Sequence, residues 1–196
     1  MTSLPPTQKV NVMSKIVIVY HSGYGHTQKV AEAVAESAGA TLLAIDAEGN
    51  LPESGWDTLL AANTIVFGSP TYMGSVSWQF KKFADASSKQ WFGSQWKNKL
   101  AAGFTNSASL NGDKFSTIQY LFTLSQQHGM LWVGTGMMPA NSKAATRADI
   151  NNLAGSAGLL TATPSDASTD EMVQGDIATA QAFGKRLAEV NARLFG

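Results

Sequence analysis

Ile16-Val17-Ile18-Val19-Tyr20 is an unbroken apolar run, rich in β-branched residues. A strand wetted on one face would alternate apolar with polar, so this run predicts a strand buried on both faces. Runs of the same kind recur at Thr41–Ile45, Thr64–Gly68, Leu100–Thr105 and Met130–Gly134. Between them the apolar positions switch to helical spacing: Val30 and Val34, then Val76, Phe80 and Phe83, then Phe115, Ile118 and Phe122. A last helix carries Ile177, Ala180, Phe183, Leu187, Val190 and Leu194, with Lys185, Arg186 and Arg193 toward its C-terminal end, where cations suit the dipole. Residues 136–168 are polar and weakly periodic. Strands alternating with helices predict βαβ units. The expected architecture is therefore α/β: a doubly wound five-stranded parallel sheet, order 2-1-3-4-5, with helices on both faces. Trp132, inside the fifth strand, is expected in the core. In that order ligands bind beyond the carboxyl ends of the strands, at the switch between strands one and three.

The tail of residues 1–14 carries Pro5-Pro6 and few apolar groups, and reads as flexible. Met13, directly before the first strand, is a candidate alternative start. Residues 15–196 are expected to form one domain, a length that can bury a large core. Lys+Arg and Asp+Glu are 14 each, so the formal net charge is zero. No excess of positive charge is available to attract phosphate backbones or anionic lipid, which argues against nucleic acid as a partner. The chain has no cysteine, which excludes disulfides, thiolate chemistry and cysteine-bound metal. It contains no apolar run long enough to span a bilayer, and the first residues lack the apolar stretch of a signal peptide, so no membrane insertion and a cytoplasmic location are expected. The three histidines, His21, His26 and His128, have no carboxylate at ligand spacing, so no metal site is expected.

Three polar loops follow the first, third and fourth strands, and the topology brings them to one crevice. The first is Ser22-Gly23-Tyr24-Gly25-His26-Thr27. It lies where a strand gives way to a helix, and unpaired amides at a helix N-terminus favour an anion. Ser22 and Thr27 add hydroxyls, and the glycines permit close backbone approach. Neither the triphosphate loop G-x-x-x-x-G-K-[ST] nor the dinucleotide fingerprint G-x-G-x-x-G is present, so a monophosphate fits best. The second loop, Pro70-Thr71-Tyr72-Met73-Gly74, combines a rigid proline, an aromatic and a glycine, and could border a flat ring. The third, Asn106-Ser107-Ala108-Ser109-Leu110 onward to Gly112, is rich in groups able to bond a ring edge or a polyol. Each loop alone is equally readable as a plain turn. No G-x-S-x-G elbow supports a serine hydrolase.

Ser-x-Tyr-Gly-His at Ser22 to His26, Phe-Gly-Ser-Pro-Thr at Phe67 to Thr71 and His-Gly-Met at His128 to Met130 resemble the flavodoxin-like quinone reductases, more narrowly the tryptophan-repressor-binding-protein (WrbA) type. The resemblance runs from about Lys15 to the end of the chain. It implies a flavodoxin-like fold, FMN as cofactor, NAD(P)H as co-substrate and a quinone as acceptor. It also implies that Ser22 to Thr27 wrap the FMN phosphate, that Thr71, Tyr72 and Met73 border the ring, with Pro70 and Gly74 shaping that turn, and that Asn106 to Leu110 meet the ring edge and ribityl chain. By the same resemblance Tyr24 contacts the nicotinamide and Trp91 forms part of the pocket over the flavin. The family's paired histidines appear here as Gln127-His128, so either residue is a candidate for the ring contact. The family's glycine-rich third loop is Ser107-Ala108-Ser109-Leu110 here, and the segment from Ala47 to Asn63 is shorter. A homodimer or homotetramer is implied.

The expected activity is NAD(P)H:quinone oxidoreduction with the flavin carrying the chemistry and no catalytic side-chain triad. A non-enzymatic flavodoxin-type electron carrier is the alternative. So is a flavin-binding module, and a further alternative is a signalling or binding module that has kept the fold and lost the flavin, to which the altered third loop and the missing first histidine of the pair give some weight.

Overall fold

The computed structural model describes residues 15–196; the expected tail of residues 1–14 and the candidate start at Met13 lie outside the described residues. The chain runs β1 (Ile16–Tyr20), α1 (His26–Ala38), β2 (Thr41–Ala44), α2 (Gly55–Ala61), β3 (Thr64–Tyr72), β4 (Ser75–Val76), α3 (Trp78–Ala86), α4 (Ser88–Phe92), β5 (Leu100–Ser107), α5 (Lys114–Gln127), β6 (Leu131–Trp132), β7 (Leu159–Ala162), a short 3-10 turn (Thr169–Glu171) and α6 (Gln174–Phe195). The sheet order is β2-β1-β3-β5-β6, with β4 paired antiparallel to β3 and β7 paired to β5. All other pairings are parallel. The expected doubly wound sheet is present, with more strands than five.

The continuous apolar run of β1 has a simple cause. Ile16, Ile18 and Tyr20 pack on one side with Val30 and Val34 of α1 and Ala180, Phe183 and Leu187 of α6. Val17 and Val19 pack on the other with Leu59, Phe80, Phe83, Trp96, Ile118 and Leu121. Successive strand residues point to opposite faces, so a strand covered twice must be apolar throughout.

The fifth sheet position departs from the expected single strand. β6 pairs only with the start of β5, at Leu100 and Ala101. The chain then leaves the sheet over residues 133–158 and returns as β7, which pairs with Phe104 to Ser107. Trp132 is therefore only half-buried rather than in the core. It stands edge-on to Phe122, centroids 5.7 Å apart, and its indole N–H donates to the Ala157 carbonyl at 2.7 Å. Two strands also run longer than expected. β3 continues through Pro70 to Tyr72, and β5 through Asn106 and Ser107, so parts of the second and third loops are sheet. β3 and β4 meet across Met73-Gly74, both at positive φ (48° and 76°), which is the two-residue hairpin geometry that matches strand twist. α2 is a helix that the hydrophobic pattern of residues 47–63 does not mark.

Candidate functional site

β1, β3 and β5 end side by side, and the segments after them meet. A small cavity of about 100 Å³ lies there, lined by Tyr24, His26, Thr27, Pro70, Thr71, Tyr72, Asn106, Ser107, Ala108, Thr163 and Ser165. All three sequence-derived loops contribute to it.

The first loop turns into α1 through Gly25 at φ 87°, a left-handed cap that makes no side-chain capping bond. Gln28 N–H donates to Ser22 Oγ at 3.1 Å, and Lys29 N–H to the Gly25 carbonyl at 2.9 Å. The five amides from Gly23 to Thr27 donate to no protein acceptor among the described residues. They are clustered donors at the positive end of a helix, the arrangement that binds an anion. His26 is buried beside them, and its Nε2–H donates to the Ala167 carbonyl at 2.7 Å, tying this loop to the chain beyond β7. A Cβ on Gly23 would lie 2.5 Å from the Tyr72 hydroxyl, so the second loop folds directly against the first. Tyr24 and Tyr72 meet edge-on, centroids 6.3 Å apart. Burial, reinforced by Tyr24, raises the Tyr72 phenol, which keeps it neutral.

The polar groups beneath are fixed by one another. Thr71 Oγ1 lies 2.8 Å from both Thr105 Oγ1 and Thr117 Oγ1. Asn106 Oδ1 accepts from Thr161 Oγ1 at 2.9 Å and from Thr163 Oγ1 at 3.1 Å. Two hydroxyls on the oxygen fix the amide's orientation and leave its NH₂ without a protein partner among the described residues. Met73, Ser109 and Leu110 stand exposed at the rim, and Gly74 completes the hairpin turn. Thr117, Thr161, Thr163 and Ser165 were not singled out by the sequence. The available signal was Leu159-Leu160-Thr161-Ala162, a short apolar run between Gly158 and Pro164.

Trp91, Gln127 and His128 do not join this crevice within one chain. They line a separate hollow with Phe92, Lys97 and Gly129. α5 begins beyond the carboxyl end of β5 and runs back along the sheet. At 1.5 Å per residue its fourteen residues span about 21 Å, so Gln127 and His128 lie at the opposite edge. Asn98 N–H donating to the Gly129 carbonyl at 3.0 Å fixes that end beside the start of β5. Within one chain, then, neither Gln127, His128 nor Trp91 reaches the crevice formed by the three loops.

Within this chain His128 is packed and hydrogen-bonded in the core. Its ring lies 4.2 Å from that of Trp96. Ser87 donates its hydroxyl proton to the Ala84 carbonyl at 2.6 Å, so its oxygen accepts from His128 Nε2–H at 2.9 Å. Nδ1 is then the bare nitrogen, buried without a partner among the described residues. A proton there would create an unpaired buried charge, and burial holds the His128 pKa down at about 4. Its folded value lies below the unfolded 6.5, so the unfolded chain binds more protons between those values. Stability from this group is complete above pH 6.5 and is lost as pH falls toward 4. His21, also buried and also lowered by burial, adds in the same direction. We expect His128→Asn to lower stability at pH 7 and to flatten the acid loss, by about 2–3 kcal/mol between pH 7 and 4. Urea unfolding at both pH values measures it, and parallel acid losses in wild type and variant would contradict the assignment.

Residues 17–117 match the family model described as a flavodoxin domain. Flavodoxin FldP of Pseudomonas aeruginosa (strain UCBPP-PA14) is 55% identical, covering 93% of this chain and 99% of that protein. An NAD(P)H dehydrogenase (quinone) of Geobacter sulfurreducens is 31% identical, covering 92% of this chain and 99% of its own. Among solved structures, a WrbA-like flavodoxin from Agrobacterium tumefaciens superposes with a TM-score of 0.77 at 52% identity, covering 93% of this chain and 99% of that one.

Proposed function

The chain belongs to the WrbA-type flavodoxin-like family, and from that premise we propose that it is an FMN-dependent NAD(P)H:quinone oxidoreductase. The observation that carries the reading is the meeting of a five-amide anion cradle with two polar strand ends at the switch of the sheet. The residues present fit FMN. The cradle from Gly23 to Thr27 is unpaired and neutral, suited to one phosphate. The unpartnered Asn106 amide, Thr71 and the Tyr72 face are suited to a polar-edged flat ring.

When bound, FMN supplies the two-electron chemistry between a reduced nicotinamide and a quinone. The protein's part is binding and orientation. Gly23 to Thr27 would hold the phosphate, Pro70 to Tyr72 would border the ring, and Asn106 to Ala108 would fix its edge. Tyr24 would meet the nicotinamide, a role its exposure at the rim supports. Holding donor and acceptor in turn against one ring face supplies the orientation that the transfer needs. We assign the NAD(P)H and quinone substrates on the names of homologues such as the Geobacter enzyme. A homo-oligomer is part of the proposal, supported by the exposed neighbours Trp91 and Phe92. So is a cytoplasmic location, supported by the absence of cysteine. No helix among the described residues is long and apolar enough to cross a membrane.

The name of the Pseudomonas relative favours a second reading, an electron carrier between proteins. The FMN-loaded protein is expected to lose its oxidised flavin absorbance when NADH or NADPH is added without oxygen, and to regain it on adding a quinone. A band that persists with both nucleotides would put the carrier first.

A further inference from the structure

Lys114 opens α5 and is only 2% exposed. Its ammonium donates to three successive carbonyls of the third loop: Ser109 at 2.6 Å, Leu110 at 2.9 Å and Asn111 at 3.3 Å. A buried lysine is uncommon and calls for a compensating partner. Here the partners are neutral carbonyls. The ion pairs among the described residues are Lys81–Asp85 and Arg147–Asp176, so no carboxylate pairs with Lys114 directly.

A peptide's C=O and the following N–H point in opposite directions. Three carbonyls turned toward Lys114 therefore turn the amides of Leu110, Asn111 and Gly112 away from it. None of those amides donates to the protein among the described residues. The loop leads directly on from Asn106, Ser107 and Ala108, which line the crevice. If the phosphate sits on the first loop, the remainder of the flavin lies against the second and third loops and the chain at Thr163 and Ser165.

We propose that Lys114 is a positioning residue of the flavin site, which by gripping the Ser109, Leu110 and Asn111 carbonyls holds the third loop in its flavin-binding shape and makes the hold on the ring depend on pH. The proposal rests on the FMN reading. Burial is the main influence on the ammonium and lowers its pKa to about 8; Asp176 on α6 opposes this and Arg147 on the 133–158 segment adds to it. Asp113, the exposed cap of its own helix, is the adjacent charge in sequence. Below pH 8 three N–H donors and a charge face three carbonyls. Above it one donor and the charge are gone, and the grip weakens.

The test compares wild type, Lys114→Met and Lys114→Arg for affinity toward FMN and riboflavin, by flavin fluorescence quenching from pH 6.5 to 9.5. Wild type is expected to weaken roughly tenfold for both ligands across that range. Lys114→Met is expected to be about tenfold weaker at pH 7 with no inflection near 8. Lys114→Arg should keep most of the affinity and lack the inflection. Ionisation of the flavin itself is common to all three and cancels. Wild-type affinity in Lys114→Met at pH 7, or an inflection that survives in it, overturns the proposal while leaving FMN binding intact. Should wild type bind neither flavin, the functional reading itself fails. Amide exchange over residues 107–113 then decides for the loop: exchange in Lys114→Met no faster than in wild type at pH 7 overturns the grip on its own.

Discussion

Replacing Arg147 by Met is expected to cost about 3–5 kcal/mol of stability. The site of damage is Asp176, in the first turn of α6 and 1% exposed. Its two oxygens take Arg147 Nη1 at 3.1 Å and Nη2 at 3.0 Å. They also take Ala162 N–H at 2.8 Å and Asn152 Nδ2 at 3.0 Å. Arg147 also donates to Asn152 Oδ1 and to the Ala162 backbone carbonyl. One ion pair thus fastens the 133–158 segment to both β7 and α6. Removing the arginine leaves a buried carboxylate with its charge uncompensated, the expensive half of a broken pair. At roughly 2–4 °C per kcal/mol for a domain of this size, the melting temperature should fall by about 6–20 °C. Apolar replacement of both partners, Arg147→Met with Asp176→Leu, should recover much of the loss, because the pair as a whole contributes little net stability. A single-variant melting temperature within 2 °C of wild type would show that the carboxylate finds another partner. The crevice should suffer as well, since Thr163 and Ser165 follow directly from β7.

That segment also marks where the sequence stopped being informative. The run Ile16–Tyr20 declared its strand because both faces are covered and no position could be polar. The three loops were legible for a related reason: strand ends, hydroxyls and glycines in one topology converge whatever their side chains do. The split of the fifth sheet position was not legible, because β6 pairs through two residues and β7 through four, too short for periodicity to register. Thr163 and Ser165 reach the crevice only through that return. Lys114 was unreadable for another reason. A lysine next to an aspartate in a polar loop looks solvated, and only the folded loop shows its carbonyls wrapped around the ammonium. Gln127 and His128 are a different case: the length of α5 decides which end of the sheet they occupy, and it puts them at the far one, in a hollow shared with Trp91 of α4.

Gly25→Val is expected to weaken FMN binding by at least a hundredfold while leaving riboflavin binding within about threefold. Gly25 sits at φ 87°, ψ −23°, a left-handed conformation that costs an L-residue about 1–2 kcal/mol, and more when it is β-branched. The added side chain would also press on Thr169 Cγ2, already 3.1 Å from where a Cβ would stand. The loop must relax, and the amides from Gly23 to Thr27 cease to converge. Hydrogen bonds to a charged group contribute about 1.5–3 kcal/mol each, so losing two suffices for the hundredfold change. The expected cost to the folded protein is about 1–3 kcal/mol, because the strain is local to one turn. Fluorescence titration with both ligands separates the outcomes. Riboflavin lacks the phosphate, so a cradle for that group predicts loss for FMN alone. Equal loss for both would mean that the variant collapses the whole crevice, and that the five amides are not where the phosphate binds.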